Sequence, residues 1–304
     1  MIGNRHLYAI GLFLLSVSLI SGLGCHATKP DKSAVDTYES SSNEIRILTY
    51  NLYLRAPELF FWNQQQDRIA ALRPALLGYD VLVLQEVFGK GYREQLIDLV
   101  ADVYPHYSDI LGGEGTKQDA GVLIFSRWPI SQQAALPYGD ICAGSDCLAT
   151  KGAIYLNIAK EGHAYHIFGT HLQASEEHQL TREGQLALLK DFIDQQKIDQ
   201  SEAVLIVGDL NVDLYLDEQN QAYSNMLDSL SAIHPPNHGT TEYPPTFDIE
   251  NNAFAKGKKN AFLDYLLYSS QHLRPKTTYN EVKPFKVEKL DLSDHYAVMG
   301  YFGF

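Results

Sequence analysis

The stretch Ala203-Val204-Leu205-Ile206-Val207-Gly208-Asp209-Leu210-Asn211 constrains this chain more than any other, because five β-prone apolar residues run without interruption into a glycine, an acid and an amide. Such a run is a strand covered on both faces, so it belongs inside a layered sheet. Gly208 lets the backbone turn where the strand stops, and Asp209 and Asn211 leave its end aimed at one spot. Two readings of that end are open: a Gly-Asp pair that merely closes a strand, and a carboxylate delivered to a working edge. The other strand ends shift the balance to the second.

Residues 45–50 alternate like a half-buried strand that ends at Asn51. A loop rich in large apolar groups follows, and residues 65–77 then have a helical rhythm that Pro74 bends or shortens. Residues 81–84 form a second buried strand and run into Gln85-Glu86, so a second acid reaches a strand end. Tyr92, Leu96, Leu99, Val100 and Val103 are spaced for one helix face, and residues 120–125 for a strand. Residues 153–158 and 165–168 predict a hairpin through Glu161-Gly162, with the second strand ending in Gly169-Thr170-His171. An amphipathic helix over 180–193 leads to the strand described first, and a further helix follows on Tyr223, Met226, Leu227 and Leu230. A Pro-rich loop over 232–259 precedes a strand at 262–268, and the last strand, 297–302, is entered through Ser293-Asp294-His295. Asn51, Glu86, His171 and Asp209 follow strands, whereas Asp294 and His295 precede one. If the last strand is antiparallel, both groups fall on one edge of a layered sheet with helices on its outer faces.

At 304 residues with 45% hydrophobic side chains the chain can bury a large core. A net charge of −13 repels a phosphate backbone, which argues against duplex nucleic acid as a partner. Residues 1–25 read as a signal peptide: Arg5 and His6 precede an uncharged run over 7–24. Cys25 after Gly22-Leu23-Gly24 resembles a bacterial lipoprotein signal, in which that cysteine is lipidated after cleavage. Export is therefore expected, to a periplasmic or outer-membrane surface; plain secretion and an uncleaved anchor are the alternatives. Residues 26–43 read as a flexible linker, and 44–304 as one catalytic domain. Cys142 and Cys147 share a loop with Gly144 and are the candidate disulfide, with a reduced pair as the alternative, and Cys25 is then the odd thiol.

In chain order, Tyr50-Asn51, Leu84-Gln85-Glu86-Val87, Gly121-Val122-Leu123, Gly169-Thr170-His171-Leu172, Gly208-Asp209-Leu210-Asn211, Leu263-Asp264-Tyr265 and Ser293-Asp294-His295 resemble the endonuclease/exonuclease/phosphatase superfamily of metal-dependent phosphodiesterases. The resemblance implies an α/β fold, a four-layered sandwich of two packed mixed sheets flanked by helices, with the site at the top of the sheets. Within the superfamily, Gln85-Glu86-Val87-Phe88, Ser126-Arg127-Trp128-Pro129-Ile130 and Thr170-His171-Leu172-Gln173-Ala174 are similar to the neutral sphingomyelinases. The segment Asp146-Cys147-Leu148-Ala149-Thr150-Lys151-Gly152 resembles the Asp and Lys switch of the membrane-bound animal enzymes, and Pro245-Thr246-Phe247-Asp248 a loop of the secreted bacterial ones. Those secreted enzymes carry a long aromatic-tipped hairpin, whereas residues 273–290 here are short and polar, so membrane contact is expected elsewhere. Phe60, Phe61 and Trp62 are candidates for it, with a place in the core as the alternative.

The implied activity is hydrolysis of sphingomyelin to ceramide and phosphocholine by a monomer acting at a membrane surface. Glu86 suits Mg²⁺, or Mn²⁺ or Co²⁺ in its place, as a hard carboxylate ligand, with Asn51 beside it. His295 is the expected general base, since an imidazole titrates near neutrality, and the resemblance pairs it with Asp264. Asp209 and Asn211 are expected to position water and phosphate, His171 to donate to a phosphoryl oxygen, and Asp294 to hold metal or orient the base. Asp146 and Lys151 read either as a switch over the site or as a solvated surface pair. Other phosphodiesters at the same site, such as phosphoinositides, other phospholipids or nucleic acid, and a non-catalytic lipid-surface module are the competing functions.

Overall fold

Along the first strand, β1 (Glu44–Leu54), Ile45 and Ile47 join one buried cluster while Leu48, Tyr50, Leu52 and Leu54 join another. This period of two, repeated in strand after strand, makes each sheet apolar on both faces and calls for a layer on either side. The computed structural model describes residues 32–55, 63–113 and 117–304. After β1 come the helices α1 (Gln65–Ala71) and α2 (Arg73–Leu76), strand β2 (Val81–Val87), helix α3 (Lys90–Val100), and strands β3 (His106–Tyr107), β4 (Leu123–Ser126) and β5 (Ile130–Pro137). The hairpin β6 (Gly152–Lys160) and β7 (His163–His171) leads through α4 (Gln179–Gln195) to β8 (Ala203–Asp209). Then follow α5 (Asp217–Asn220), α6 (Ala222–Leu230), β9 (Ala232–Ile233), β10 (Asp264–Ser269), β11 (Thr277–Lys283), the small hairpin β12 (Lys286–Val287) and β13 (Leu290–Asp291), and β14 (Ala297–Gly303).

Two six-stranded mixed sheets result, in the orders β11-β14-β1-β2-β4-β3 and β5-β6-β7-β8-β10-β9. Ile47, Val83, Ile124, Leu156, Leu205, Val207 and Val298 fill the space between them. Residues of α1, α2 and α3 cover the outer face of the first sheet, and those of α4 and α6 the outer face of the second. The fold is therefore the four-layered α/β sandwich expected from the sequence. Every residue of β8 is buried, and each large aliphatic side chain so placed is worth roughly 1.5–3 kcal/mol.

Strand direction sets where the polar ends gather. β1 is parallel to β2 and β7 to β8, while β14 is antiparallel to β1 and β10 to β8. The outgoing ends of four strands thus meet the incoming ends of two others at one edge. Gly208 allows the closest approach there: its φ is +148°, and a Cβ would lie 1.9 Å from the Thr170 carbonyl oxygen.

Several parts of the chain differ from expectation. The helix over 65–77 is broken at Leu72, with Pro74 in the first turn of the second piece, where its missing N–H costs nothing. β5 and β11 were not anticipated. The stretch 26–43, expected as a flexible linker, is tied to the domain over its described part, residues 32–43. Asp36 pairs with Arg127, the Tyr38 hydroxyl donates to Asp80 at 3.0 Å, and Ser40 Oγ donates to Asp80 at 2.8 Å. The cause is a buried ion pair, Lys160 to Asp80 at 3.2 Å, whose remaining hydrogen-bonding capacity this segment satisfies. Cys25, the stretch 1–25, and Phe60, Phe61 and Trp62 lie outside the described residues.

Candidate active site

The rows of side chains that fill the space between the sheets change from apolar to polar at one end. In β1 the row is Ile45, Ile47, Thr49, Asn51; in β8 it is Ala203, Leu205, Val207, Asp209; in β7 it runs from Tyr165 and Ile167 to His171. Asp264 heads the corresponding row of β10, and Gln85 that of β2. The catalytic candidates are thus the top of the inter-sheet core, held by the same alternation that packs it. One layer down, Gln85 Nε2 donates to Thr49 Oγ1 at 3.1 Å and closes off the apolar interior.

His295, just before β14, places Nδ1 2.8 Å from Asp264 Oδ2 and Nε2 3.9 Å from Asp209 Oδ2. His171 Nε2 stands 3.4 Å from the same Asp209 oxygen, and Asn51 Nδ2 donates to it at 3.0 Å. Asn51 Nδ2 also reaches Glu86 Oε1 at 3.3 Å, and its Oδ1 accepts from the Tyr53 amide at 3.1 Å, which fixes the amide's orientation. Asn211 donates through its backbone amide to Asp209 Oδ1 at 3.1 Å and through Nδ2 to the Leu172 carbonyl at 3.2 Å. Glu86 and Asn211 have φ of +55° and +52°, a left-handed backbone that non-glycine residues adopt at some cost and that concentrates at working sites. Asp294 is next to His295, and Ser293 ties this turn to β1 by donating to the Asn51 carbonyl at 2.5 Å.

Electrostatics divides the two histidines. Burial lowers the affinity of His295 for a proton, but the carboxylates of Asp264, Asp209 and Asp294 more than reverse this and hold its pKa well above the usual value. His171 is pushed well below it by burial, with the charges of Lys151 and His295 adding to the effect. Asp209 is raised by burial and by the nearby Asp264 carboxylate, and Asp294 is raised mainly by burial.

Among the described residues, Glu86 Oε2, Asp264 Oδ1 and His171 Nδ1 are buried polar atoms with no hydrogen-bond partner. Arg55 lies 3.8 Å from Glu86 Oε2, beyond hydrogen-bonding distance. Asp209, Asp264 and His295 each offer a ligand atom, all within 4.8 Å of one another. Clustered carboxylate oxygens left unsatisfied, with an amide beside them, suit a hard divalent cation. Glu86 and His295 line one cavity of about 510 Å³ together with His171, Asp209, Asn211 and Phe247, and Lys256, Lys258 and Lys259 form part of its wall.

The remaining candidates support the walls. Asp146 and Lys151 pair at 3.1 Å, and Lys151 is buried, so they are not a solvated surface pair. Lys151 Nζ donates to the Leu172 carbonyl at 2.7 Å and Asp146 Oδ2 accepts from the Ala174 amide at 2.8 Å, so together they hold the segment after His171. Cys142 and Cys147 are joined in a disulfide that encloses Asp146.

Sequence reasoning missed Arg68. This fully buried guanidinium donates to the carbonyls of Asn63, Leu52, Tyr53 and Leu292, which joins the turn after Asn51 to the turn before Asp294. An arginine on an amphipathic helix reads as solvated, and nothing in the sequence marks this one as buried. Thr246 is a second omission in this role: its hydroxyl accepts from the amides of Leu263 at 2.9 Å and Asp264 at 3.3 Å.

Comparison with known proteins bears on this constellation. Residues 48–295 match the model of the Endonuclease/Exonuclease/phosphatase family, a span that begins in β1 and ends on His295. The chain is 30% identical to a sphingomyelinase C of Bacillus cereus over 86% of its own length and 90% of the relative's. It is also 30% identical to a sphingomyelinase C of Leptospira interrogans over 90% of this chain, but it spans only 54% of that longer relative. A beta toxin mutant of Staphylococcus aureus, solved with bound magnesium ions, superimposes with a TM-score of 0.76 at 26% identity, covering 85% of this chain and 99% of the other. Sandwich, ordered motifs and converging polar rows agree with these likenesses, and the chain belongs to the endonuclease/exonuclease/phosphatase family, in its sphingomyelinase branch.

Proposed function

We propose that the protein is a Mg²⁺-dependent phosphodiesterase of phospholipase C type that hydrolyses sphingomyelin to ceramide and phosphocholine. The observation that carries this reading is the line Asp264, His295, Asp209, with one contact of 2.8 Å and one of 3.9 Å, in the same cavity as the unsatisfied carboxylate oxygen of Glu86. His295 Nε2 and Asp209 Oδ2 are too close for a water to lie between them, but a water held beside the pair, on the cavity side, reaches both within hydrogen-bonding distance.

In this reading His295 takes the proton of the attacking water, and Asp264 holds the imidazole by Nδ1 and stabilises it once protonated. Asp209 and Asn211 orient the water and the phosphate, and neutral His171 donates a hydrogen bond to a phosphoryl oxygen. Water adds to phosphorus as the bond to the ceramide oxygen breaks; the departing oxygen takes a proton from solvent, and His295 returns the proton it accepted to solvent. Glu86, with Asn51 beside it, would hold the metal, and Asp294 holds metal or orients the base. When bound, Mg²⁺ supplies positive charge to the phosphoryl oxygens and the departing oxygen. Lys151 and Asp146 act as the switch that sets the loop after His171.

The Arg5–Cys25 sequence pattern supports export, with lipidation at Cys25 as the mode of anchoring. Metabolic labelling with a radioactive fatty acid, lost on Cys25→Ser, tests it.

The function is tested by a panel of sphingomyelin, phosphatidylcholine, phosphoinositide and plasmid DNA, with Mg²⁺ and with chelator. Sphingomyelin turnover abolished by chelator and by His295→Ala is the expected result. Plasmid cleavage without lipid turnover would overturn it.

A further inference from the structure

Among the described residues, five of the large apolar side chains that stand exposed lie at the edge where the catalytic cleft opens: Ile141, Leu148, Leu180, Tyr215 and Val287. Their places in the fold put them there. Ile141 and Leu148 belong to the loop between β5 and β6, which leaves and re-enters the sheet at the Pro137 and Gly152 pair. The next pair along, Ala153 with Thr170, is adjacent to His171. Leu180 is the second residue of α4, which starts soon after β7 ends, and Tyr215 lies shortly after Asp209. Val287 is in the hairpin between β11 and the Ser293-Asp294-His295 turn. The remaining exposed large apolar residues, Val35, Tyr107 and Leu273, are elsewhere: the Leu273 amide, for example, bonds to the Glu202 carbonyl, at the opposite end of β8.

Leu148 and Leu180 are the most open of the five, at 67% and 82% exposure. The loop and helix that carry them are fastened to each other. Gln185 Nε2 donates to the Ile141 carbonyl at 2.7 Å, the Ala143 amide donates to Gln173 Oε1 at 2.7 Å, and the disulfide closes the loop between them. Exposed apolar side chains gathered at the end of the sheets where a polar cleft opens, the two most open of them on elements fastened to each other, mark an interface with something apolar rather than stray surface residues. The cleft wall at the same mouth carries Lys256 and Lys258, exposed cations on a chain of net charge −13, while Lys259 beside them pairs with Glu176 at 3.1 Å and Asp213 at 3.3 Å.

From these observations we propose that the rim formed by Leu148, Leu180 and Ile141, with Tyr215 and Val287, is the surface that docks on a phospholipid bilayer. Leucines enter the acyl boundary while the lysine loop faces the lipid phosphates, which leaves the cleft open to the headgroup layer. The proposal rests on the sphingomyelin reading, since it is a bilayer lipid that must reach the cleft, and it assigns docking chiefly to residues outside the short segment 273–290, within which only Val287 takes part.

The test compares wild type, the double variant Leu148→Asp/Leu180→Asp, and Val35→Asp as a control at 80% exposure away from the mouth. Flotation with sphingomyelin–phosphatidylcholine vesicles reads docking without turnover, and a short-chain sphingomyelin kept below its micelle-forming concentration reads chemistry without docking. The double variant should bind vesicles on the order of tenfold more weakly and need about tenfold more bilayer lipid for half-maximal rate, with kcat/KM on the monomeric substrate within about twofold of wild type. Val35→Asp should match wild type in both. Unchanged flotation of the double variant, or an equal loss on the monomeric substrate, overturns the proposal. Wild type inert on sphingomyelin in every form would instead defeat the functional reading, and flotation still decides whether this rim binds lipid.

Discussion

Asp264 and His295 are 31 residues apart in the chain and 2.8 Å apart in space, joined Oδ2 to Nδ1. The contact fixes which imidazole nitrogen faces Asp209, so removing it should damage chemistry far more than binding. Asp264→Asn is expected to lower kcat by about 10²–10⁴ with little change in KM. Steady-state kinetics on sphingomyelin in mixed micelles check this, and a change confined to KM would contradict it.

The pH dependence follows from the same cluster. His295 must be neutral to take a proton, and neighbouring carboxylates raise its pKa well above the usual value. Activity should therefore fall on acidification along a limb lying above about pH 6.5, and Asp264→Asn should shift that limb downwards. For stability the sign is that of a raised pKa: the contribution of His295 is complete below about pH 6.5 and is lost as pH rises through the folded value. Asp209, raised to about 7, acts in the same direction but over roughly pH 4–7, so the melting temperature of chelator-treated protein should decline as pH rises through neutrality.

Much of this arrangement is legible in the sequence because strands have a period of two. Once residues 45, 47 and 203, 205, 207 are assigned to the space between sheets, Asn51 and Asp209 must follow on the same face. β5 and β11 escaped for one physical reason: each is an edge strand, paired on one side only, and neither fully buries an apolar side chain. Arg68 escaped because its partners are main-chain carbonyls, which leave no trace in residue identity. The segment over 32–43 escaped because its composition is that of a linker, and only the buried Asp80 and Lys160 pair gives it something to bind.

Arg68 and Gly208 supply two stability predictions. Arg68→Met leaves four carbonyl oxygens without their donor, and a loss of about 3–5 kcal/mol is expected, with a higher Mg²⁺ requirement because both flanks of the site loosen. Gly208→Ala places a methyl group 1.9 Å from the Thr170 oxygen at a φ of +148°, and should cost upwards of about 3 kcal/mol or prevent folding. Urea unfolding followed by tryptophan fluorescence measures both; losses below about 1 kcal/mol would contradict the assigned contacts.

Lys151 is buried against both Asp146 and the Leu172 carbonyl, so Lys151→Ala takes the cation from this contact and, among the described residues, leaves the buried side of Asp146 with the Ala174 amide alone and the Leu172 carbonyl with Asn211 Nδ2 alone. A destabilisation of about 2–4 kcal/mol and reduced turnover are expected, as the segment after His171 loses its anchor. Turnover unchanged on micelles and on bilayers alike would dispose of the switch.

The most direct test of the central claim is phosphocholine release from sphingomyelin as Mg²⁺ is titrated, for wild type and for Glu86→Gln. If the unsatisfied Glu86 carboxylate holds the cation beside the Asp264, His295 and Asp209 line, the variant should need at least about tenfold more Mg²⁺ and lose about 10² or more in rate at saturation. Matching titration curves for the two proteins would contradict it.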